Sequence, residues 1–118
     1  MTKIFVTFRF AGLHQYVGAP EPVAYLKHPH RHVFHVRATI EVFHNDRELE
    51  FIMVKNDLQQ AVKNMYPDNV VGSCEMIAHD IAAYIKKKHG TQSVSREDRY
   101  VEVEVSEDGE NGAVVIAK

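Results

Sequence analysis

Apolar and polar residues alternate along residues 3–10, where Ile4, Val6, Phe8 and Phe10 share one parity and Phe5, Thr7 and Arg9 the other. A period of two predicts a half-buried strand. The same parity, carried through Ala11 and Gly12, brings His14 to the apolar face. A second strand is predicted by Phe34, Val36, Ala38, Ile40 and Val42 alternating with His35, Arg37, Thr39 and Glu41, and it runs to about Phe43. Towards the carboxyl end, Val101, Val103 and Val105 alternate with Glu102, Glu104 and Ser106. Turn residues fill 108–112, and 113–117 reads as the last strand.

Two segments carry the helical period instead. Asn56 is a suitable N-cap, Asp57 favours the positive helix end, and Leu58, Ala61, Val62 and Met65 form an i, i+3, i+4, i+7 stripe that Tyr66-Pro67 stops. Ser73 caps the second helix, with Glu75 in its first turn and Ile77, Ile81, Tyr84 and Ile85 on its apolar face. Lys86, Lys87, Lys88 and His89 suit its negative end, and Gly90 sits where a C′ glycine belongs. The lysine run is thereby explained without nucleic acid. Residues 49–54 read as a short apolar segment extending the sheet before the first helix, and 91–99 as a polar loop. The order predicts an α+β fold (ββααββ): a four-stranded antiparallel sheet with two helices on one face, as a single domain over 1–118.

Composition changes this picture little. A hydrophobic share of 45% and a net charge of -2 fit one soluble domain, with no electrostatic case for nucleic acid or an anionic membrane. No apolar run approaches a membrane span, and the amino terminus lacks a signal-peptide pattern. The single Cys74 rules out an internal disulfide and suits a reducing compartment, so the cytoplasm is expected.

The histidines carry the candidate chemistry. Of eight, four lie in His28-Pro29-His30-Arg31-His32-Val33-Phe34-His35, and His30 and His32 continue the apolar parity of the second strand. An H-x-H pair on one strand face can bind a single Zn²⁺ through neutral imidazole nitrogens. Taken alone, the pair reads better as a histidine-rich loop. If the first two strands pair antiparallel, however, His14 joins it, giving three ligands and one open position, the pattern of a catalytic zinc. Residues 15–29 form a connection too long for a tight hairpin, holding Pro20, Pro22, Pro29, Tyr16 and Tyr25. Glu107 breaks the valine alternation by placing a carboxylate on the apolar face. It either reaches solvent beside the turn or accepts paired N–H donors from a ligand.

Four stretches resemble the 6-pyruvoyl-tetrahydropterin synthase and 6-carboxy-tetrahydropterin synthase family, whose fold is the T-fold. Phe10-Ala11-Gly12-Leu13-His14 is similar to its F-x-A-x-H, and His30-Arg31-His32-Val33-Phe34-His35-Val36 to its H-G-H-x-Y-x-V. Gly72-Ser73-Cys74-Glu75-Met76-Ile77-Ala78 resembles P-T-x-E-x-x-A, and Ser106-Glu107-Asp108 with Ala113 resembles E-T-x-x-x-x-A. The resemblance implies Zn²⁺ on His14, His30 and His32, and a reduced pterin anchored by Glu107 with Ser73 and Glu75 framing the ring. It further implies a trimer or hexamer with pockets between subunits, working in queuosine or tetrahydrobiopterin biosynthesis.

The chain departs from the family in its proton-transfer groups. No cysteine lies in 15–29, no histidine lies between His44 and His79 to match an L-D-H motif, and Arg31 stands at the family's glycine. His28 and Cys74 remain as catalytic candidates. A zinc-dependent lyase acting on a dihydroneopterin triphosphate-like substrate and a pterin- or purine-binding protein without turnover both follow from these residues. A cupin, which H-x-H also suggests, is disfavoured by two mid-chain helices and no suitably spaced glutamate after His32.

Overall fold

The computed structural model describes residues 1–90 and 98–117. Their order is β1 (Thr2–His14), β2 (His30–Val42), α1 (Phe51–Met65), α2 (Cys74–His89), β3 (Val101–Glu107) and β4 (Asn111–Ala117), with a 3-10 stretch Glu21–Lys27 inside the long connection. The strands form one antiparallel sheet in the order β1-β2-β3-β4. This is the α+β, ββααββ architecture the alternation predicts, with α1 against β1 and α2 against β3 and β4.

Register follows parity. Phe8 faces Val36, Phe10 faces Phe34, Gly12 faces His32 and His14 faces His30 across the first ladder. In the second, Val36, Ala38 and Ile40 meet Val105, Val103 and Val101. These side chains and the stripes of both helices make one core, in which Phe34, Ile40, Ile77, Ile81, Ile85 and the three valines are fully buried. A one-residue slip would move the whole apolar set to the opposite face, so burial enforces the register. The same constraint carries His14 and His32 to the helix-covered side.

Several element ends differ from expectation. Helix α1 begins at Phe51, and Glu50 is its N-cap, accepting from the Met53 N–H at 2.8 Å. The segment 49–54 therefore does not extend the sheet, and Asn56 lies inside the helix. The reason is that Val54 continues the Leu58, Ala61, Val62 stripe backwards and is buried with it, leaving Phe51, Ile52 and Met53 exposed. Gly90 is the C-cap of α2, at φ −60° rather than in the left-handed region. Its lack of a side chain matters for another reason, since a Cβ there would run into the Lys86 carbonyl. The β3–β4 turn is tighter than expected: Asp108 and Gly109 both adopt positive φ, Glu110 N–H reaches the Glu107 carbonyl at 3.0 Å, and β4 starts at Asn111.

The loop expected at 91–99 falls outside the described residues over 91–97. Arg99 itself is not a solvated loop residue: it is buried, donating to the His89 and Glu41 carbonyls and to Glu48. Among the described residues, no helix is long and apolar enough to cross a membrane.

Candidate metal centre

The first ladder ends in imidazoles. His14 closes β1, His30 opens β2 directly opposite, and His32 follows two residues on, so the three rings gather at one end of the sheet. Their centroids lie 4.5, 5.0 and 5.3 Å apart in edge-on arrangements, and Phe34 stands edge-on beneath His14 at 5.3 Å. One ring nitrogen from each lies within 4.8 Å of the others. The three histidines can hold a metal ion.

Each ring is oriented by an acceptor at Nδ1. His14 Nδ1 lies 2.9 Å from the Gly72 carbonyl, His30 Nδ1 2.8 Å from the His28 carbonyl, and His32 Nδ1 2.8 Å from Asp108 Oδ2. A carbonyl or carboxylate oxygen only accepts, so Nδ1 carries a proton in all three rings, and in the neutral ring Nε2 keeps its lone pair. Such outer contacts fix tautomer and ring plane ahead of metal binding. Asp108 uses its second oxygen to accept from the Val33 N–H at 3.0 Å. The bond from His32, then that from Val33, holds its carboxyl below the usual carboxylate range.

The Gly72 carbonyl is placed by the connector between the helices, which adds itself to the end of β1. Leu13 N–H donates to Asn69 and Val71 N–H to Leu13, forming a parallel bridge.

Glu107 completes the cluster. Its register partners are Phe34 on β2 and Asn111 on β4, which turns the carboxylate towards the histidines. Oε1 lies 3.3 Å from His14 Nε2 and Oε2 3.5 Å from His32 Nε2. Despite that approach, His32 Nε2 is buried and has no hydrogen-bond partner among the described residues. A buried nitrogen lone pair left in this state costs free energy, and a cation at the centre would satisfy it. The donor set fits a metal ion on this structural ground.

A cavity of about 610 Å³ opens beside the cluster, lined by His14, His30, Glu107, Ser73, Cys74 and Glu75 among others. Ser73 and Glu75 thus line the same cavity as His14 and His30, although the Ser73 hydroxyl is already engaged, capping α2 through the Met76 N–H at 3.2 Å. Cys74 is buried, and its thiol is pushed up to about 11, first by burial and then by the carboxylates of Glu107 and Glu75. It is protonated near neutrality. His28 is exposed; what it brings to the cluster is its backbone carbonyl, and its ring does not line the cavity. Tyr16 lines the cavity, whereas Tyr25 is exposed away from it. His79 is exposed beside Asp80.

Three groups at the site escape sequence reading: the Gly72 and His28 carbonyls and the Asp108 carboxylate. The carbonyls leave no trace in residue type. Asp108 had a usable signal, because pairing of β2 with β3 sets the residue after Glu107 beside Val33. No family model matches this chain, and no curated protein matches it.

Proposed function

We propose that this protein binds Zn²⁺ through His14, His30 and His32 and is a lyase of the 6-pyruvoyl/6-carboxy-tetrahydropterin synthase type, with a reduced pterin as substrate on a T-fold scaffold. The observation that carries this reading is the convergence of one ring nitrogen from each of three histidines, with His32 Nε2 buried and unpartnered, beside a cavity lined by His14, His30 and Glu107. Imidazole nitrogens with a carboxylate suit zinc better than a hard oxygen-seeking cation.

Bound zinc would polarise substrate oxygens and ease removal of an adjacent C–H proton. The protein's own groups do the rest. Glu107, on the core face at the end of β3, accepts the side-by-side N–H and amino donors of the pterin edge. Ser73 and Glu75 frame the ring from the start of α2. Phe34 backs the rings of His14 and His32 and keeps the cluster's inner side dry.

A second reading is favoured by one specific observation: Cys74, the single thiol, is held protonated at neutral pH, and residues 15–29 contain no other. Without a thiolate the chain is a pterin- or purine-binding protein that does not turn over. Zinc-loaded protein supplied with dihydroneopterin triphosphate distinguishes the two. Release of triphosphate with formation of a new pterin supports the lyase. Stoichiometric binding without turnover supports the binding protein, and absence of both zinc and pterin binding removes the whole reading.

A further inference from the structure

We propose that Glu107 is the fourth ligand of the ion held by His14, His30 and His32, so that the ligand-free site is closed by the protein's own carboxylate. This rests on the metal-binding reading above, but not on the identity of the substrate.

With the three rings neutral, as metal binding requires, the cluster consists of acceptors only. Hydrogen bonds to Gly72, His28 and Asp108 commit all three Nδ1 protons, and the three Nε2 atoms therefore present lone pairs. Glu107 adds two more acceptor oxygens at 3.3 and 3.5 Å from two of those nitrogens. Lone pairs facing one another at such distances repel unless a proton or a cation stands between them. A tetrahedral ion with bonds of about 2.0–2.1 Å sets its donors roughly 3.3–3.4 Å apart, close to the 3.3 Å from His14 to Oε1 and the 3.5 Å from His32 to Oε2 of Glu107. An ion bound on three neutral imidazoles also gains a formal negative charge from Glu107.

The backbone leaves the side chain little choice. Glu107 is held between ladders to Phe34 and to Asn111, with the tight turn immediately after it. Parity then directs the carboxylate to the core face, where its side chain is only 34% exposed.

A consequence follows for ligand binding. A molecule that coordinates the ion must first displace the carboxylate, and the displaced Glu107 is then free to accept that molecule's N–H donors. Opening of the metal and recognition of the ligand become one event, centred on one residue.

Cobalt(II) serves as the probe, since its visible spectrum reports coordination. Wild-type protein, Glu107→Ala and Glu107→Gln are titrated with Co²⁺, and each is then challenged with azide. The wild type is expected to bind one Co²⁺ with intense tetrahedral bands that azide perturbs weakly. Glu107→Ala is expected to bind at least about tenfold more weakly, the lower end of what even outer contacts contribute, and to shift its bands on azide addition. Wild-type bands and affinity in Glu107→Ala would overturn the proposal while leaving the three-histidine site standing. Failure of the wild type to bind Co²⁺ would overturn both. Should Glu107→Ala not fold, Glu107→Gln and the azide response of the wild type decide: strong azide perturbation of the wild type shows an open site and refutes closure.

Discussion

Asp108 is the residue whose removal best separates positioning from ligation. It touches His32 Nδ1 and the Val33 N–H, and it adopts φ 55° in the turn. Asp108→Ala should weaken metal binding by about 10–100-fold, the scale for an outer-shell carboxylate. Asp108→Asn keeps an acceptor and tolerates positive φ, so its loss should be smaller. Competition against a chelator of known affinity measures both, and identical affinities in all three proteins would show that Asp108 does not orient His32. Cys74 supports a prediction in pH. Its folded thiol titrates near 11 against an ordinary value of 9.0, so the folded state binds the proton more tightly than the unfolded chain. Its contribution to stability is complete below about 9 and is lost as pH rises through about 11. Alkylation by iodoacetamide should accordingly be slow at neutral pH and accelerate only in strong alkali; fast labelling at pH 7 of folded protein would contradict it.

At the scale of elements, Arg99 ties three segments together. Its guanidinium donates to the ends of α2 and β2 through the His89 and Glu41 carbonyls, pairs with Glu48 at 2.9 Å, and stacks on Phe43 at 4.7 Å. The guanidinium side chain is 5% exposed, so its removal takes the donor from acceptors in a desolvated place. Arg99→Ala should lower stability by roughly 3–5 kcal/mol, read from urea unfolding. Metal affinity should be unchanged in the folded variant, because Glu41 lies at the opposite end of β2 from His30. A loss below about 1 kcal/mol, the level of a surface pair, would mean that the clamp is solvated.

For the whole molecule, the sheet has two outer strands, β1 and β4, and β4 exposes Val114 and Ile116 at 53% each. Neither strand contains proline, and edges of this kind are usually covered. We expect closure through a symmetric trimer, or a hexamer of paired trimers, that joins sheet edges. Light scattering at micromolar concentration tests this, and a monomer would refute it.

Strand alternation by itself determined the face on which His14, His30, His32 and Glu107 lie, because a period of two allows only one buried face; the register that sets His14 opposite His30 was decided by the fold. Ser73 as a cap was legible for the same reason, being local chemistry at the start of a stripe. The start of α1 was not legible, since the short apolar run 49–54 has no period that separates strand from helix. Only packing of Val54 beside Leu58 and Val62 decided it. The burial of Arg99 depends on three carbonyl and carboxylate groups far apart in the chain, which no local pattern connects. The ring orientations of His14 and His32 were likewise settled by tertiary structure, through the Gly72 carbonyl and the Asp108 carboxylate, while His30 turns on the local carbonyl of His28. Residue types and spacing thus chose which side chains reach the site; the folded backbone decided which nitrogen of each faces its centre.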